Sequence, residues 1–492
     1  MITHWLALDV GTTGVKAALL DADGRVMRSA SRDYPTRTAA GGIVEQSAQD
    51  WLAAAEAAVR ELRPAEAEAI ALAGQMQNAI LVAASGEPVR PVILYSDTRA
   101  RDEAAYVEAR IGSGRLAVIT GNAMGPSGLL AKLLWLQTNE PDSLERAAHL
   151  LYGAADYLAL RWAGVAVTDT TTASTTELMR LEERSPLDEA LFAALDLYRV
   201  ARLLPKLVDG GAMVGELSSK AAKQLGLRAG LPVHLGPGDA GATTLGAGCG
   251  LVGRAYAYIG TSGWVAYSTE TRPPAEAGVF TLAHPARDRY IGVAPLLTAG
   301  GNLDWLRHLF NEATHDVLIA EALTAPTSDL IYLPYLNGER SPINDPLARG
   351  AFIGLNAGHR RADLARAVLE GVAFAYRHAL ETLLGQPPPD LVLTGGGTRS
   401  EAWCSLIATV THLPVLLADQ ASFVGARGAA LAAQVARGER PDYSPAQPYP
   451  TQARLTPDLA LVAHYDRQYQ RFVAAYPALK PLFATIQHDT SV

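Results

Sequence analysis

The sequence VHLGPGDAGA, residues 233–242, joins an apolar strand pattern to a helix pattern of small residues through Gly-Pro-Gly. Asp239 stands where the turn becomes the helix. Asp is preferred at a helix N-cap because its carboxylate accepts backbone N–H groups that lack a partner within the helix. Taken alone, the position of Asp239 favours this capping role over a chemical one.

Two glycine-rich stretches change that balance. They are Asp9-Val-Gly-Thr-Thr-Gly14 and Tyr258-Ile-Gly-Thr-Ser-Gly263, each flanked by strand-like residues. A glycine reversal lets backbone N–H groups approach phosphate oxygens closely, and Thr or Ser hydroxyls add donors. Each stretch alone is more often a plain β-turn. Together they suggest two lobes built on the same hairpin, with Asp239 between two phosphate-binding turns.

The wider pattern predicts an α/β chain of two domains with a C-terminal addition. Residues 3–34 predict an antiparallel meander, which argues against a Rossmann crossover. Residues 100–230 read as mostly helical, with 168–176 as an irregular loop that lines a cleft. Glycines in 246–253 predict a hinge. We therefore predict domains at 1–247 and 248–440, then a Pro-rich linker and a helix over about 459–485 that packs back, within 441–492.

Individual residues near the glycines indicate phosphate chemistry. Asp9 ends the first strand beside its hairpin, where a carboxylate could hold Mg²⁺ through water. Tyr258 occupies the matching position of the second hairpin, so one carboxylate serves one metal. Lys16 could approach a phosphate, although an exposed strand lysine is an equal interpretation. Gly395-Gly396-Gly397 lies between a strand and a helix, a setting that suits a nucleotide but is weak alone.

Composition excludes several other classes of protein. The chain has 492 residues, 49% hydrophobic and 19% charged, and a net charge of −8. These values argue against nucleic-acid or membrane partners. Two cysteines, Cys249 and Cys404, are too few for a disulfide framework and lack metal-site spacing. No P-loop, zinc helix or nucleophile elbow is present. No signal peptide or membrane span is evident, so we expect a cytoplasmic protein.

The motifs taken together resemble the FGGY family of carbohydrate kinases, and its xylulokinase branch most closely. The resemblance extends over nearly the whole chain. It is carried by Asp9-Val-Gly-Thr-Thr-Gly-Val-Lys16, Ala73-Gly-Gln-Met76, Pro91-Val-Ile-Leu-Tyr-Ser-Asp97, Ile119-Thr-Gly-Asn122, Lys132-Leu-Leu-Trp135, Gly260-Thr-Ser-Gly263, Leu333-Pro-Tyr-Leu-Asn-Gly-Glu-Arg-Ser-Pro342 and the segment from Gly350 to Glu370.

This resemblance implies a two-domain actin/hexokinase-like (ribonuclease H-like) fold with ATP in the interdomain cleft. It makes Asp239 the general base and Asp9 a metal-associated carboxylate. The sugar is expected near Met76, Gln77 and Asp239. The residues expected to bind the ATP cofactor are Thr12, Thr13, Lys16, Gly260, Thr261, Gly300, Gly396, Gly397 and Ser400.

Three positions depart from the xylulokinase pattern. Gln77 stands where His is usual, Ala240 stands where Asn follows the catalytic Asp, and Leu129 replaces a small residue. The first two are expected to face the sugar. The predicted function is therefore ATP- and Mg²⁺-dependent phosphorylation of a small sugar, with D-xylulose leading and another ketose, a polyol or gluconate as alternatives. A homodimer is a further expectation.

A sugar-responsive regulator or a nucleotide switch without sugar turnover is the alternative from another class. A regulator would need a DNA-binding module, but the first predicted strand begins by Thr3. A chaperone-type switch would need a separate substrate-binding domain, and none is evident after residue 440. ATP consumption with and without sugars separates these hypotheses.

Overall fold

The computed structural model describes residues 2–112, 114–273, 278–312, 314–384, 386–445 and 451–486. Within these ranges no helix is long and apolar enough to cross a membrane. Residues 446–450, which belong to the predicted linker, lie outside the described part.

The strands up to residue 247 form the first lobe together with eleven helices. The strands are β1 (His4–Val10), β2 (Gly14–Asp21), β3 (Val26–Asp33), β4 (Arg37–Ala39), β5 (Ile43–Gln46), β6 (Ala69–Gly74), β7 (Ile80–Val82), β8 (Val92–Ile93), β9 (His149–Leu151), β10 (Val167–Asp169), β11 (Met179–Arg180), β12 (Ser185–Pro186), β13 (Lys206–Val208), β14 (Met213–Glu216) and β15 (Pro232–Leu235). The helices are α1 (Ala48–Leu62), α2 (Arg101–Ile111), α3 (Arg115–Thr120), α4 (Leu129–Asn139), α5 (Pro141–Arg146), α6 (Ala154–Ala163), α7 (Thr170–Ala173), α8 (Glu189–Ala194), α9 (Tyr198–Ala201), α10 (Ser219–Leu225) and α11 (Gly238–Gly246).

The remaining elements form most of the second lobe. Its strands are β16 (Ala255–Ile259), β17 (Gly263–Thr269), β18 (Phe280–Ala283), β19 (Tyr290–Leu296), β20 (Ile331–Leu333), β21 (Ala351–Ile353), β22 (Leu391–Thr394), β23 (Val415–Ala418) and β24 (Thr451–Leu455). The helices of this part are α12 (Gly301–Leu309), α13 (His315–Thr324), α14 (Arg361–Leu383), α15 (Glu401–Thr411), α16 (Val424–Ala436) and α17 (Leu459–Phe483).

Each lobe contains one large sheet, and the two sheets share a topology. The first has the strand order β14-β15-β6-β1-β2-β3, and the second has β18-β19-β17-β16-β22-β23-β24. In the first, β1 is antiparallel to β2 and parallel to β6. In the second, β16 is antiparallel to β17 and parallel to β22. The sequence repeat is therefore a repeat of a whole sheet, and the predicted two-lobed ribonuclease H-like fold is confirmed.

Two helices rich in small residues cross between the sheets. The alanines of α16 pack on the alanine-lined face of the first sheet, although α16 follows a strand of the second. The helices α11 and α16 approach so closely that a Cβ atom at Gly428 would overlap the carbonyl oxygen of Ala242, and one at Gly246 would overlap that of Val424. Only glycine permits this backbone distance. The direct contact between the backbones of α11 and α16 therefore joins the two lobes.

The Thr-rich segment differs from its predicted form. Residues 168–176 were expected to line a cleft as an irregular loop, yet they form the end of β10 and the short helix α7, and they are buried. Two of their hydroxyls are satisfied locally: Oγ1 of Thr175 donates to the carbonyl of Thr172 and Oγ1 of Thr176 to that of Ala173. Threonine can be buried in this way because its hydroxyl finds a backbone partner within its own turn.

The C-terminal residues complete the second lobe. Thr451–Leu455 adds β24 to the edge of the sheet beside β23, so these residues of the predicted linker are a strand. Helix α17 follows, and Tyr465, Tyr469 and Phe472 enter the core beside α14 and α15. The buried aromatic face holds this helix against the lobe.

The helix crossing predicts a large effect of one added methyl group. We expect Gly428→Ala to lower the free energy of unfolding by about 1–3 kcal/mol, because overpacking against backbone forces α11 and α16 apart. Urea denaturation measures this change. Ala436→Ser, at the exposed end of the same helix, serves as the control and should change stability by less than about 0.5 kcal/mol. Equal stability of the two variants would contradict the close crossing.

Candidate active site

The first glycine hairpin connects β1 to β2 and is fixed by side chains beneath it. Tyr34 donates its hydroxyl to the carbonyl of Gly11. Nε2 of Gln46 donates to the carbonyl of Thr12 at 2.7 Å. The turn is thereby held from below, while Thr12 is partly exposed and Thr13 is exposed. Both threonines therefore reach the surface of the lobe.

The second hairpin, between β16 and β17, is held in a different way. The N–H of Gly300 donates to the carbonyl of Gly260 at 2.8 Å, and that of Gly301 donates to the carbonyl of Thr261 at 2.9 Å. The predicted residues Gly260, Thr261 and Gly300 therefore come together. Gly300 is the N-cap of α12, so the start of this helix is bonded directly to the hairpin.

Asp9 lies at the end of β1 and has an unsatisfied oxygen. Its Oδ1 is buried and has no hydrogen-bond partner among the described residues. Burial raises the pKa of Asp9, and Lys16, its cross-strand neighbour on β2, opposes that rise. Paired residues of antiparallel strands share a face, so the charge of Lys16 lies on the side of Asp9.

Asp239 lies within the first turn of α11 and is not its N-cap. The N-cap is Pro237, and no side chain caps this helix. Oδ1 of Asp239 accepts the N–H of Ala240 at 2.7 Å. Burial, together with the charges of Asp9 and Asp169, raises the pKa of Asp239 to about 7, and two backbone hydrogen bonds oppose that rise. The capping interpretation of Asp239 is therefore wrong.

The surroundings of Asp9 fit a magnesium ion. Gly425 faces the carboxylate of Asp9 so closely that a Cβ atom there would overlap Oδ2. The absence of a side chain at Gly425 leaves space beside the carboxylate. No group of three or more His, Cys, Asp and Glu side chains that could hold a metal occurs in the part of the chain that the structure describes. A single carboxylate suits Mg²⁺, which keeps several waters and takes further ligands from phosphates.

The residues predicted to contact the sugar follow β6 on the first lobe. Gln77 has a left-handed backbone, with φ of 62°, and its Nε2 donates to the carbonyl of Ser127 at 3.0 Å. Its side-chain amide is therefore already oriented. Met76 packs on the turn before Asp239, since a Cβ at Gly238 would overlap its sulfur. The structure thus brings Met76 against the turn that carries Asp239.

The glycine triplet follows β22 on the second lobe. Gly396 is exposed and a Cβ there would meet only the end of Arg399, at 3.9 Å, whereas Gly397 packs on Ile259 at the end of β16. Ser400 is the N-cap of α15, where its Oγ accepts the N–H of Trp403 at 3.3 Å. These residues lie beside the strand that leads to the second hairpin.

Sequence reasoning did not identify the residues that support the hairpins. Gln46 also accepts Nε1 of Trp51 and Nε2 of Gln75, both at 2.9 Å. Tyr258 stacks on Trp264 with the ring centroids 4.0 Å apart. The hydroxyls of Tyr95 and Thr12 lie 3.4 Å apart. Isolated polar and aromatic residues carry no spacing signal, so only the fold reveals these contacts.

Comparison with known proteins gives consistent matches across the chain. Residues 4–246 match the N-terminal domain of the FGGY family of carbohydrate kinases, and residues 255–437 match its C-terminal domain. The chain is similar to a xylulose kinase of Klebsiella pneumoniae, with 34% identity over 98% of this chain and 100% of that protein. It is also similar to an erythritol kinase of Brucella abortus (strain 2308), with 30% identity over 97% and 96%.

A solved structure extends the likeness to three dimensions. The crystal structure of a "xyloylose kinase" from Brucella ovis is 33% identical and superposes with a TM-score of 0.89, over 97% of this chain and 100% of that one.

The unsatisfied oxygen of Asp9 leads to a prediction about metal binding. We expect Asp9→Asn to weaken the binding of Mn²⁺, used as a spectroscopic substitute for Mg²⁺ in the presence of ATP, by about tenfold or more, because an amide is a poorer ligand for a hard cation. Electron paramagnetic resonance measures free Mn²⁺ directly. Asp23→Asn, in an exposed turn of the same lobe, is the matched control. Unchanged Mn²⁺ binding in Asp9→Asn would exclude Asp9 from the metal site.

Proposed function

The chain belongs to the FGGY family of carbohydrate kinases, and we propose that it transfers the γ-phosphoryl group of ATP to D-xylulose, giving D-xylulose 5-phosphate. The observation that carries this proposal is the partly buried carboxylate of Asp239, with a pKa of about 7, close enough to Asp9 at the first hairpin for their charges to interact. A base with a pKa near the working pH is suited to accept a proton from a hydroxyl group.

We assign Asp239 as the general base of the reaction. Its carboxylate would accept the proton of the attacking sugar hydroxyl as that oxygen approaches the γ-phosphorus in line. The N–H of Ala240 donates to Oδ1 of Asp239 and orients the carboxylate, and Oδ2 would make this contact. Most of the rate in phosphoryl transfer comes from positioning and from stabilisation of charge.

Asp9 would hold Mg²⁺ through its free Oδ1, and the metal supplies charge neutralisation at the phosphates when it is bound. The exposed hydroxyls and N–H groups of the two hairpins would bind phosphate oxygens, with Lys16 adding a positive charge on the side of Asp9. The second lobe would bind the rest of the nucleotide. The residues assigned to nucleotide binding are Thr12, Thr13, Lys16, Gly260, Thr261, Gly300, Gly396, Gly397 and Ser400.

The preference for D-xylulose is supported by the similarity to xylulose kinases, while two residues favour a second candidate. Gln77 offers an amide in place of an imidazole, and Ala240 offers no side-chain hydrogen bond. A relative named as an erythritol kinase matches nearly the whole chain. Another ketose, a polyol or gluconate is therefore the alternative substrate.

A coupled assay of ATP consumption over a panel of ketoses, polyols and sugar acids tests the proposal. We expect the largest kcat/KM with D-xylulose. A site that binds a particular hydroxyl can reject a sugar lacking it by about 10⁴-fold. We therefore expect one sugar of the panel to have a kcat/KM well above those of the others. A clear preference for erythritol, ribulose or gluconate would replace D-xylulose as the substrate, and ATP consumption that is independent of sugar would contradict the kinase function.

The double variant Gln77→His with Ala240→Asn examines the origin of that preference. Because these substitutions add the hydrogen-bonding groups of the xylulokinase pattern, we expect kcat/KM for D-xylulose to rise relative to the other sugars of the panel. The single variants serve as internal controls. A double variant that merely loses activity on every sugar would show that these positions do not set specificity.

Asp239→Asn tests the general base. We expect kcat to fall by about 10²–10⁴-fold, as is typical for the loss of a base, with the melting temperature nearly unchanged because Asp239 does not cap α11. Asp188→Asn, at the exposed N-cap of α8, is the control for the substitution itself. A variant with normal kcat and reduced thermal stability would assign Asp239 a purely structural role.

Two further expectations stay predictions. A homodimer would be detected by light scattering of the purified chain. A cytoplasmic location would be detected by fractionation of the source cells.

A further inference from the structure

Asp169 is a buried carboxylate without a role in the mechanism above. It ends β10, is 1% exposed, and is the N-cap of α7, where Oδ1 accepts the N–H of Thr172 at 2.9 Å. Oδ2 accepts the hydroxyl of the same threonine. Burial raises the pKa of Asp169 to about 6, and hydrogen bonds from Thr172, Thr171 and the N–H of Gly238 oppose that rise. Gly238 is the residue before Asp239.

On one side, α7 packs against the first turn of α11. A Cβ atom at Gly238 would lie 2.8 Å from Oγ1 of Thr172, and one at Gly241 would lie 2.9 Å from Cγ2 of Thr171. Neither glycine could carry a side chain without moving α7. The turn that bears Asp239 is thus confined by α7, and any shift of α7 changes the room available to that turn.

On its other side, α7 is bonded to the second lobe. Oγ1 of Thr171 donates to the carbonyl of Ala283 at 2.7 Å, and the N–H of Ala283 donates to Oγ of Ser174 at 3.1 Å. Asn122 binds both backbone groups of Thr281, at 2.8 and 2.9 Å.

Thr281 and Ala283 are alternate residues of β18, the edge strand of the second sheet. Side chains of the first lobe therefore pair the outer backbone groups of this edge, which would otherwise lack partners.

We propose that Asp169 is a positioning residue and that α7 sets the position of Asp239, because α7 confines the start of α11 while it is anchored to β18 of the opposite lobe. The placement of the base would then depend on contact between the lobes. This inference rests on the assignment of Asp239 as the general base. It concerns whichever sugar the chain phosphorylates, and so does not depend on D-xylulose.

The alternative is that α7 is only a packed part of the core. The two roles differ in what they change. A packing role alters the free energy of unfolding, and a positioning role alters kcat, since a displacement of about 1 Å in a reacting group can cost about 100-fold in rate. Measuring kcat together with the free energy of unfolding therefore separates the two roles.

Thr171→Val is the direct test, with Thr175→Val as its matched control. Both replace a buried threonine by its isostere; the first removes the bond to Ala283 of the second lobe, and the second removes a bond within the segment, to Thr172. With the best sugar of the panel, we expect Thr171→Val to lower kcat about tenfold while KM for ATP and sugar changes less than twofold. Thr175→Val should keep kcat within twofold.

Conservative variants guard against a simple failure to fold. Thr171→Ser retains the hydroxyl and should restore kcat to within about threefold of the wild type. Asp169→Asn retains a good helix cap and should keep more than a third of the rate, whereas Asp169→Ala should lose tenfold or more.

The outcomes are distinct. Equal losses in Thr171→Val and Thr175→Val, or a change in melting temperature with normal kcat, would overturn the positioning role. A wild type that phosphorylates no sugar would instead contradict the proposed function.

Discussion

The close crossing of α11 and α16 is the constraint on which the rest of the structure depends. Gly246 and Gly428 remove the side chains that would separate the two backbones, and the neighbouring Gly425 leaves room for the carboxylate of Asp9. Helix α11 begins beside Asp239, so the crossing places both carboxylates relative to each other. A contact that joins the lobes therefore also defines the distance between the two charged groups of the proposed chemistry.

Burial, together with neighbouring negative charge at Asp239, explains the raised pKa values of the carboxylates around this crossing. Asp9, Asp239 and Asp169 lie close enough for their charges to interact, and loss of hydration already disfavours ionisation of each one. Lys16 is the cation that opposes this at Asp9. A bound Mg²⁺ would favour the charged form of Asp9, while the raised pKa of Asp239 makes that carboxylate a better base. In the proposed mechanism, the same burial would thus serve two different roles.

The two lobes repeat the same sheet topology but carry different side chains at their hairpins. Asp9 pairs with Lys16 in the first hairpin, whereas Tyr258, which is equivalent to Asp9, pairs with Trp264 in the second. A charged pair suits metal and phosphate, and a stacked aromatic pair makes a rigid wall without charge. The edge strand β18 also bonds to α7, so the lobes contact each other beside the turn of Asp239 as well as at the helix crossing.

Local patterns in the sequence determined the strands, the two hairpins and the family, because glycine spacing and apolar periodicity act over a few residues. They singled out Asp9, Asp239, Gln77 and the glycine triplet as candidate site residues. They favoured a helix cap when Asp239 was considered alone, and they predicted an irregular loop at residues 168–176, which form the end of β10, the helix α7 and the turn after it. Only the tertiary structure decided that α16 crosses to the first sheet, that Gln46 supports the hairpin, and that α7 links Asp239 to β18. These contacts join residues tens to hundreds of positions apart, and no short-range pattern encodes the burial and backbone pairing on which they depend.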